Sequence, residues 1–426
     1  MGAKPIPRNL SLQPSMVVVS NGFSKFHLAA AAAEADRRGL LSAFLTGAYP
    51  TLLVRSILEL PGLRSNIKLN RLKARAEQID DRRVHTFFLA ELFYHLGNRF
   101  DDEMVVSSYR SYGHAAIRCI RRAAAQGARI YHYRAGMGGD SIAAAKRLGM
   151  IALCDHSLVH PALVEHMVEN HGEMREMPQA AEIGGVWKYL QRDIDQADAV
   201  LVNSDFVKST FEFAGFDCSR VHVIYLGVDD SFMTQIPGRG SAGPELRLLF
   251  AGAFEKRKGA GILIDALRQL GDQPWSLEIA GNLPAKVLRE NQHFFSDPRV
   301  QYLGTLTRRQ LAEVMSRSDV FVFPSLAEGS ARVVFEALAC GCSVITTPNS
   351  GSIVEQGIHG SLVPPGDSAA VAKAIDEACR DRERTAEIGR ANAQLIRTGY
   401  RQSNYGDQLE ALYRNLAGKS QSGEPK

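Results

Sequence analysis

The chain has 426 residues, 45% hydrophobic and 23% charged, with a formal net charge of +4. This length predicts two α/β-sized domains, and this balance predicts a globular protein with sizeable cores. The small net charge argues against a dedicated nucleic-acid binder, and no apolar run reaches the roughly 18 residues of a membrane-spanning helix.

The opening stretch MGAKPIPRNLSLQPSMVVVS has no apolar core of signal-peptide length before its first β-branched run, and Ile6 breaks the myristoylation pattern. Six cysteines, Cys119, Cys154, Cys218, Cys340, Cys342 and Cys379, are spaced for neither a zinc site nor a disulfide framework. The expectation is a cytoplasmic protein with reduced thiols.

Residues 1–14 hold three prolines and predict a flexible arm. Met16–Ser20 predicts a first strand, followed by Asn21-Gly22-Phe23, an alanine-rich helix His27–Arg38 stopped by Gly39, and a strand Leu40–Thr46. Residues 51–78 read as a basic insertion in which Leu52, Leu53, Ile57, Leu58 and Leu60 mix with Arg55, Arg64, Lys68, Arg71, Lys73 and Arg75. Alternation then resumes with a helix around His114–Gln126, strand Arg129–Tyr133, helix Ser141–Leu148 and strand Met150–Cys154. A helix near Val186–Gln196, strand Ala199–Asn203, a helix from Asp205 capped by Ser204, and strand Val221–Leu226 complete a domain over 15–234.

The Gly-, Pro- and Ser-rich residues 235–245 predict a linker. A second series occupies 246–400, with strands Leu246–Ala251, Ser276–Ala280, Val300–Leu303, Val320–Pro324, Ser343–Thr347 and Ser361–Val363. Helices are predicted around Ile262–Leu270, Arg309–Ser316, Ala331–Cys340 and Ala369–Arg380. A helix over 401–417 is expected to pack back toward the first domain, and 418–426 to form a disordered tail. The predicted class is α/β, with two doubly wound, mostly parallel sheets facing each other across a cleft.

Two stretches of the second series could carry chemistry. In LLFAGAFEKRKGAGILIDAL, residues 248–267, a strand ends at Gly252 and Lys256, Arg257, Lys258 and Gly259 precede a helix. Cations, a glycine and free helix N–H groups suit a phosphate, although a solvated basic loop has the same spelling. In FVFPSLAEGSARVVFEALACGC, residues 321–342, Glu328 falls in a loop and Glu336 about two turns into a helix, at 3.6 residues per turn. That placement does not flank one bond from opposite sides, so a glycosidase acid–nucleophile pair is rejected. Hydroxyl acceptors, or two unremarkable surface glutamates, are the readings left open.

From 246 to about 375 the chain resembles the nucleotide-sugar-binding domain of retaining GT-B glycosyltransferases of the family 4 type (group 1). The resemblance runs through Phe250–Gly259, YLGTLTRRQLAEVMSRSDVFVFPS (302–325), AEGSARVVFEALACG and TTPNSGSIVEQGIHGSLVPPGD (346–367). LVNSDFVKSTFEFAG and VHVIYLGVD within 201–229 extend it more weakly. It implies a GT-B fold of two Rossmann-like domains. It also implies that Lys258 binds the donor diphosphate, Glu336 the ribose hydroxyls and Glu328 the transferred sugar. Gly329, Ser330, Ala331, Arg332 and Val333 would line the same site, with backbone N–H contacts from Ser330 to Val333. The family arginine expected after Gly252 is replaced by Ala253, and Lys256 or Arg257 is expected to compensate.

In the first domain the resemblance turns the Gly22 loop toward the donor phosphates, where a plain strand–helix turn is the local alternative. It also places a histidine near the reacting sugar carbon: His156, with Asp155 and His160 as alternatives. The expected reaction is retaining sugar transfer from a nucleoside-diphosphate sugar, UDP or GDP, to a hydroxyl of a glycan, lipid or small-molecule acceptor. No cofactor and no metal are expected. Residues 52–75 are read either as a peripheral contact with anionic membrane or as a solvated helical excursion. A nucleotide-sugar epimerase and a non-catalytic nucleotide-sugar binder are the competing readings. A dinucleotide oxidoreductase is disfavoured, because no Gly-x-Gly-x-x-Gly follows either opening strand.

Overall fold

The structure, a computed structural model, describes residues 16–58, 72–97, 101–179, 183–238, 243, 245–271 and 273–419. The expected arm at 1–14, residues 59–71 of the insertion and the end of the tail lie outside them. Among the described residues no helix is long and apolar enough to cross a membrane.

The chain builds two sheets. The first comprises β1 (Val17–Gly22), β2 (Leu41–Thr46), β3 (Val84–Thr86), β4 (Ile130–Arg134), β5 (Ile151–His156), β6 (Ala199–Val202) and β7 (Val221–Val223), in the order β3-β2-β1-β4-β5-β6-β7. The second comprises β8 (Leu246–Ala251), β9 (Trp275–Ala280), β10 (Val300–Gly304), β11 (Val320–Phe323), β12 (Ser343–Thr346) and β13 (Gly360–Leu362), in the order β10-β9-β8-β11-β12-β13. Every pairing in the second sheet is parallel. Its order reverses between β8 and β11, the kind of switch point where open α/β sheets take their ligands.

By internal contacts the described residues fall into two compact units. One is drawn from 16–155, 189–200 and 406–419, the other from His156–Lys188 and Leu201–Tyr405.

In the first unit every residue of β1 is buried. The alanines of the Leu28–Arg37 helix bury Ala29, Ala31, Ala32, Ala33 and Ala35, small side chains that permit close approach. Tyr131 and Tyr133 stack at 5.0 Å and satisfy their hydroxyls on Ser141 Oγ and the Asp193 carbonyl. The predicted helix around His114 begins much earlier, as Asp102–Ala125, with the Asp101 side chain accepting from Glu103 N. Gly113 immediately precedes the expected start. Here it lies inside the helix, where a Cβ would press on the Gly138 carbonyl. The carboxy-terminal helix is Gln402–Lys419. From its later turns Tyr413 donates to or accepts from His132 Nδ1 at 2.7 Å, and Asp407 meets Arg38 at 2.6 Å.

The Phe88–Gly97 helix was not expected, and its orientation is unusual. Its apolar residues Phe88, Leu89, Leu92, Phe93 and Leu96 are exposed, whereas Ala90 and Glu91 are buried. Glu91 accepts from Ser24 N, Ala48 N and Arg75. The polar residue anchors this helix, while the apolar stripe faces outward.

The second unit is built on one large core. Leu248, Leu249 and Phe250 of β8, Phe321 and Phe323 of β11, and Val334 and Leu338 of the Arg332–Ala339 helix meet in it. The predicted bounds of β8 match those observed. The other strands of this sheet differ from prediction by single residues at their ends. The Arg382–Gly399 helix was not foreseen.

Candidate active site

A cleft of ≈ 400 Å³ opens at the switch point between β8 and β11. Gly252 ends β8 with φ of +137°, and a Cβ on Gly281, just past β9, would overlap its carbonyl. Both positions favour glycine, and their bare backbone forms one wall. Opposite lies the amino end of the Arg332–Ala339 helix, whose first N–H groups have no intrahelical acceptor. Ala331 N is satisfied by the Ser350 carbonyl, and the buried Ser330 Oγ has no hydrogen-bond partner among the described residues. Glu328, Ser330, Ala331, Arg332, Val333 and Glu336 all line the cleft, together with Lys258.

The basic loop is fastened to the acidic loop by its backbone. Lys256–Lys258 is a single 3₁₀ turn closed by Gly259 at φ +81°, and a Cβ there would overlap the Pro324 carbonyl. Leu326 N donates to the Arg257 carbonyl at 2.8 Å, and Ser325 Oγ donates to it at 3.2 Å. This stitching delivers two cations to one carboxylate. Lys258 Nζ and Arg257 NH1 each lie 2.6 Å from Glu328 Oε1, and Arg257 NH1 also donates to the Ala327 carbonyl at 2.8 Å. Lys258 stands 5.2 Å from the centre of the Phe323 ring and lines the cleft, whereas Arg257 does not line it and Lys256 is exposed. Of the two cations considered as substitutes for the arginine missing at Ala253, Arg257 is therefore committed to Glu328.

At the far end Glu336 is buried and its carboxylate lies 3.1 Å from Arg308 NH1, which also sits 4.9 Å from the Phe232 ring. Arg308 is not among the site residues expected from sequence. The signal was present in Thr307-Arg-Arg-Gln310, a capping box that starts the Arg308–Arg317 helix and puts Arg308 at its first position.

His156 ends β5, is buried, and holds its Nε2 3.0 Å from the Val159 carbonyl. The next residue touches the acidic loop, since a Cβ on Gly329 would overlap the Ser157 carbonyl, and Ser204 Oγ donates to the Gly329 carbonyl at 2.5 Å. His160 has a different job. Its ring accepts from Ala162 N, and burial, reinforced by His156, pushes its pKa down to about 4.

Asp155 belongs to the first unit, where it lies 2.7 Å from His27 Nε2 and 3.3 Å from His132 Nε2. Burial would raise its pKa, but the two imidazoles outweigh burial and hold the carboxyl below the usual carboxylate range. Gly22, also in the first unit, has φ of +76° and donates its N–H to Tyr112 Oη at 3.2 Å. A Cβ there would collide with Met137. A local packing reason for this glycine thus exists whatever it faces. Among the described residues no cluster of three or more His, Cys, Asp or Glu could hold a metal ion.

Residues 245–381 match the family Glycosyl transferases group 1. A D-inositol 3-phosphate glycosyltransferase of Xylanimonas cellulosilytica is 29% identical over 245 residues, 51% of this chain and 58% of that protein. The chain spans about half the length of the curated relatives it matches. Among solved structures, sucrose-phosphate synthase of Thermosynechococcus elongatus superposes with a TM-score of 0.68 at 17% identity, covering 95% of this chain and 100% of that one. Anabaena HepE in complex with UDP-glucose superposes with a TM-score of 0.60 at 17% identity, covering 94% and 100%. The fold is GT-B, and residues 245–381 are similar to the group 1 glycosyl transferases.

Proposed function

We propose that the protein is a retaining glycosyltransferase that moves a sugar from a nucleoside-diphosphate sugar, UDP or GDP, to the hydroxyl of a glycan, lipid or small-molecule acceptor. The observation that carries this reading is the joint placement of Lys258, Glu328 and Glu336 along one cleft at the β8/β11 switch point. Glu336 would accept from the ribose hydroxyls, Glu328 from the hydroxyls of the transferred sugar, and Lys258 would meet the diphosphate. The bare Gly252 backbone and the first N–H groups of the Arg332–Ala339 helix would lie against the same anion.

In the reaction the acceptor oxygen bonds to the anomeric carbon as the bond to the diphosphate oxygen breaks. The acceptor proton leaves with a diphosphate oxygen, and attack on the face of departure retains the configuration. The developing charge is met by Lys258 and helix N–H dipoles already in place, which supports a metal-independent step. Lys258 then has to exchange Glu328 for the diphosphate, and Arg257 keeps the carboxylate aimed while it does. His156, at the end of β5 beside the Gly329 contact, is read as lying near the reacting carbon, and Gly22 as bordering the phosphates.

Acceptor-dependent release of nucleoside diphosphate from UDP- or GDP-sugars tests this reading. Donor isomerisation without acceptor would instead indicate an epimerase, and saturable donor binding without turnover a binding protein.

Peripheral contact with anionic membrane is proposed for the insertion, where Leu52 is 67% exposed. Its support comes from the neighbouring Phe88–Gly97 helix, with Leu89 68% and Phe93 60% exposed. An outward apolar stripe on a helix joined to the basic insertion through Arg75 and Glu91 suits an interfacial position on a bilayer. Six cysteines, none of them in a disulfide among the described residues, support a cytoplasmic setting.

A further inference from the structure

The segment between β5 and the Gly185–Asp195 helix forms a cleft of its own, of ≈ 640 Å³, lined among others by Glu165, His166, Glu169, Glu176 and Trp187. Its aromatic wall is held in place. Trp187 packs against the cluster of Val159, Leu163, Val164, Met167 and Ala327, and its Nε1 donates to Glu165 Oε1 at 3.1 Å. His166 Nε2 is buried with no hydrogen-bond partner among the described residues. No lysine or arginine is among the described residues lining the cleft. The nearby Arg175 is turned to Glu173 at 2.7 Å, and positions 180–182, outside the description, are Ala, Ala and Glu in sequence.

Three contacts fasten this segment to the loop of Glu328. Ser157 lies against Gly329, Ala327 belongs to the cluster beneath Trp187, and the Gly172 carbonyl accepts from Asn349 Nδ2 at 2.6 Å. The Asn349 carbonyl in turn accepts from Glu328 N at 3.0 Å. Through Trp187, which packs on the cluster containing Ala327, the wall of the cleft is tied to the loop that carries Glu328.

From this we infer that the cleft is the acceptor site and that it takes a carbohydrate without anionic groups. The inference rests on the donor-site reading above. Hydroxyls, or an amine, donate to the carboxylates, and the apolar face of a ring lies on the indole. A phosphate or carboxylate would meet three glutamates and no cation.

The test uses the full chain, a UDP-sugar that it is first shown to bind, and an oligosaccharide pool split by anion exchange into anionic and non-anionic fractions. Transfer to the non-anionic fraction is expected. Trp187→Phe, Glu169→Arg and Glu176→Arg should each raise the half-saturating concentration of that fraction roughly tenfold or more, as loss of one well-placed contact does. Donor KM should stay within about twofold, since these residues do not touch the donor. The two glutamates are exposed, so their replacement tests the site without disturbing packing. Transfer confined to the anionic fraction, or unchanged acceptor saturation in all three variants, would overturn the inference. Loss of UDP-sugar binding by the intact protein would overturn the donor-site reading instead, so the two failures are distinguishable.

Discussion

Lys258 holds its Nζ 2.6 Å from Oε1 of Glu328, the same oxygen that Arg257 reaches at 2.6 Å. Two cations on one oxygen leave one of them available when a second anion arrives. Lys258 borders the cleft, so it is the one that moves, and Arg257 is the one that stays. The two substitutions should then separate kinetically. Lys258→Ala should raise donor KM and lower kcat, whereas Arg257→Gln should lower kcat with donor KM nearly constant. Each loses a charge-assisted contact of about 1.5–3 kcal/mol, or roughly 10- to 150-fold. Parallel KM effects in both variants would contradict this division of labour.

A glycine pair reports on the same loop through stability. Gly259→Ala places a Cβ on the Pro324 carbonyl at φ of +81°, whereas Gly261, inside the Ala260–Arg268 helix, has nothing within 4 Å. Urea unfolding should show Gly259→Ala destabilised by about 1–3 kcal/mol. Gly261→Ala should be stabilised by roughly 0.5–1 kcal/mol, because alanine is the better helix former.

Asp155 makes acid stability testable. Its carboxyl titrates below the ordinary value of about 3.9 in the folded state, because His27 and His132 outweigh burial. A depressed acid contributes stability that is fully present above the unfolded pKa and is lost as pH falls through it toward the folded one. The urea midpoint should therefore drop between about pH 5 and pH 3 in the wild type. Asp155→Asn should start lower at neutral pH and show a shallower acid slope. An unchanged slope in that variant would show that other carboxyls govern acid unfolding.

The outward apolar stripe predicts vesicle binding. Flotation with phosphatidylserine vesicles should carry the protein, and Phe88→Ser with Phe93→Ser should weaken binding roughly tenfold or more, given ~1.5–3 kcal/mol per buried large apolar side chain. Recovery of the wild-type protein only in the unbound fraction would remove the proposed membrane contact.

How far the sequence could be read follows from where apolar side chains point. β8 lies fully inside the core, apart from Arg247, and its bounds were legible to the residue. The Phe88–Gly97 helix has apolar residues at 88, 89, 92, 93 and 96, a helical period, but that period could not show that Glu91 turns inward and the phenylalanines outward. The helix expected around His114–Gln126 extends back to Asp102, and the Gly113 inside it is explained by the backbone of Gly138, distant in sequence. At the site, the residue types Lys258, Glu328 and Glu336 were legible from spacing and family resemblance. The sharing of one Glu328 oxygen by Arg257 and Lys258 was not, since it depends on the seating of Gly259 beneath Pro324. The carboxylate-lined cleft beside Trp187 was equally hidden, because it forms where the short Val164–Glu169 helix meets the start of the Gly185–Asp195 helix, a meeting that no local pattern spells.

The central claim is that the Lys258–Glu328–Glu336 cleft transfers a sugar. It is tested most directly by nucleoside-diphosphate release with and without acceptor, in the wild type and in Glu328→Gln. Release should require acceptor in the wild type and fall by roughly 100-fold in Glu328→Gln, about 2.7 kcal/mol of lost transition-state interaction, with the variant still folded. Equal turnover in the two proteins would contradict it.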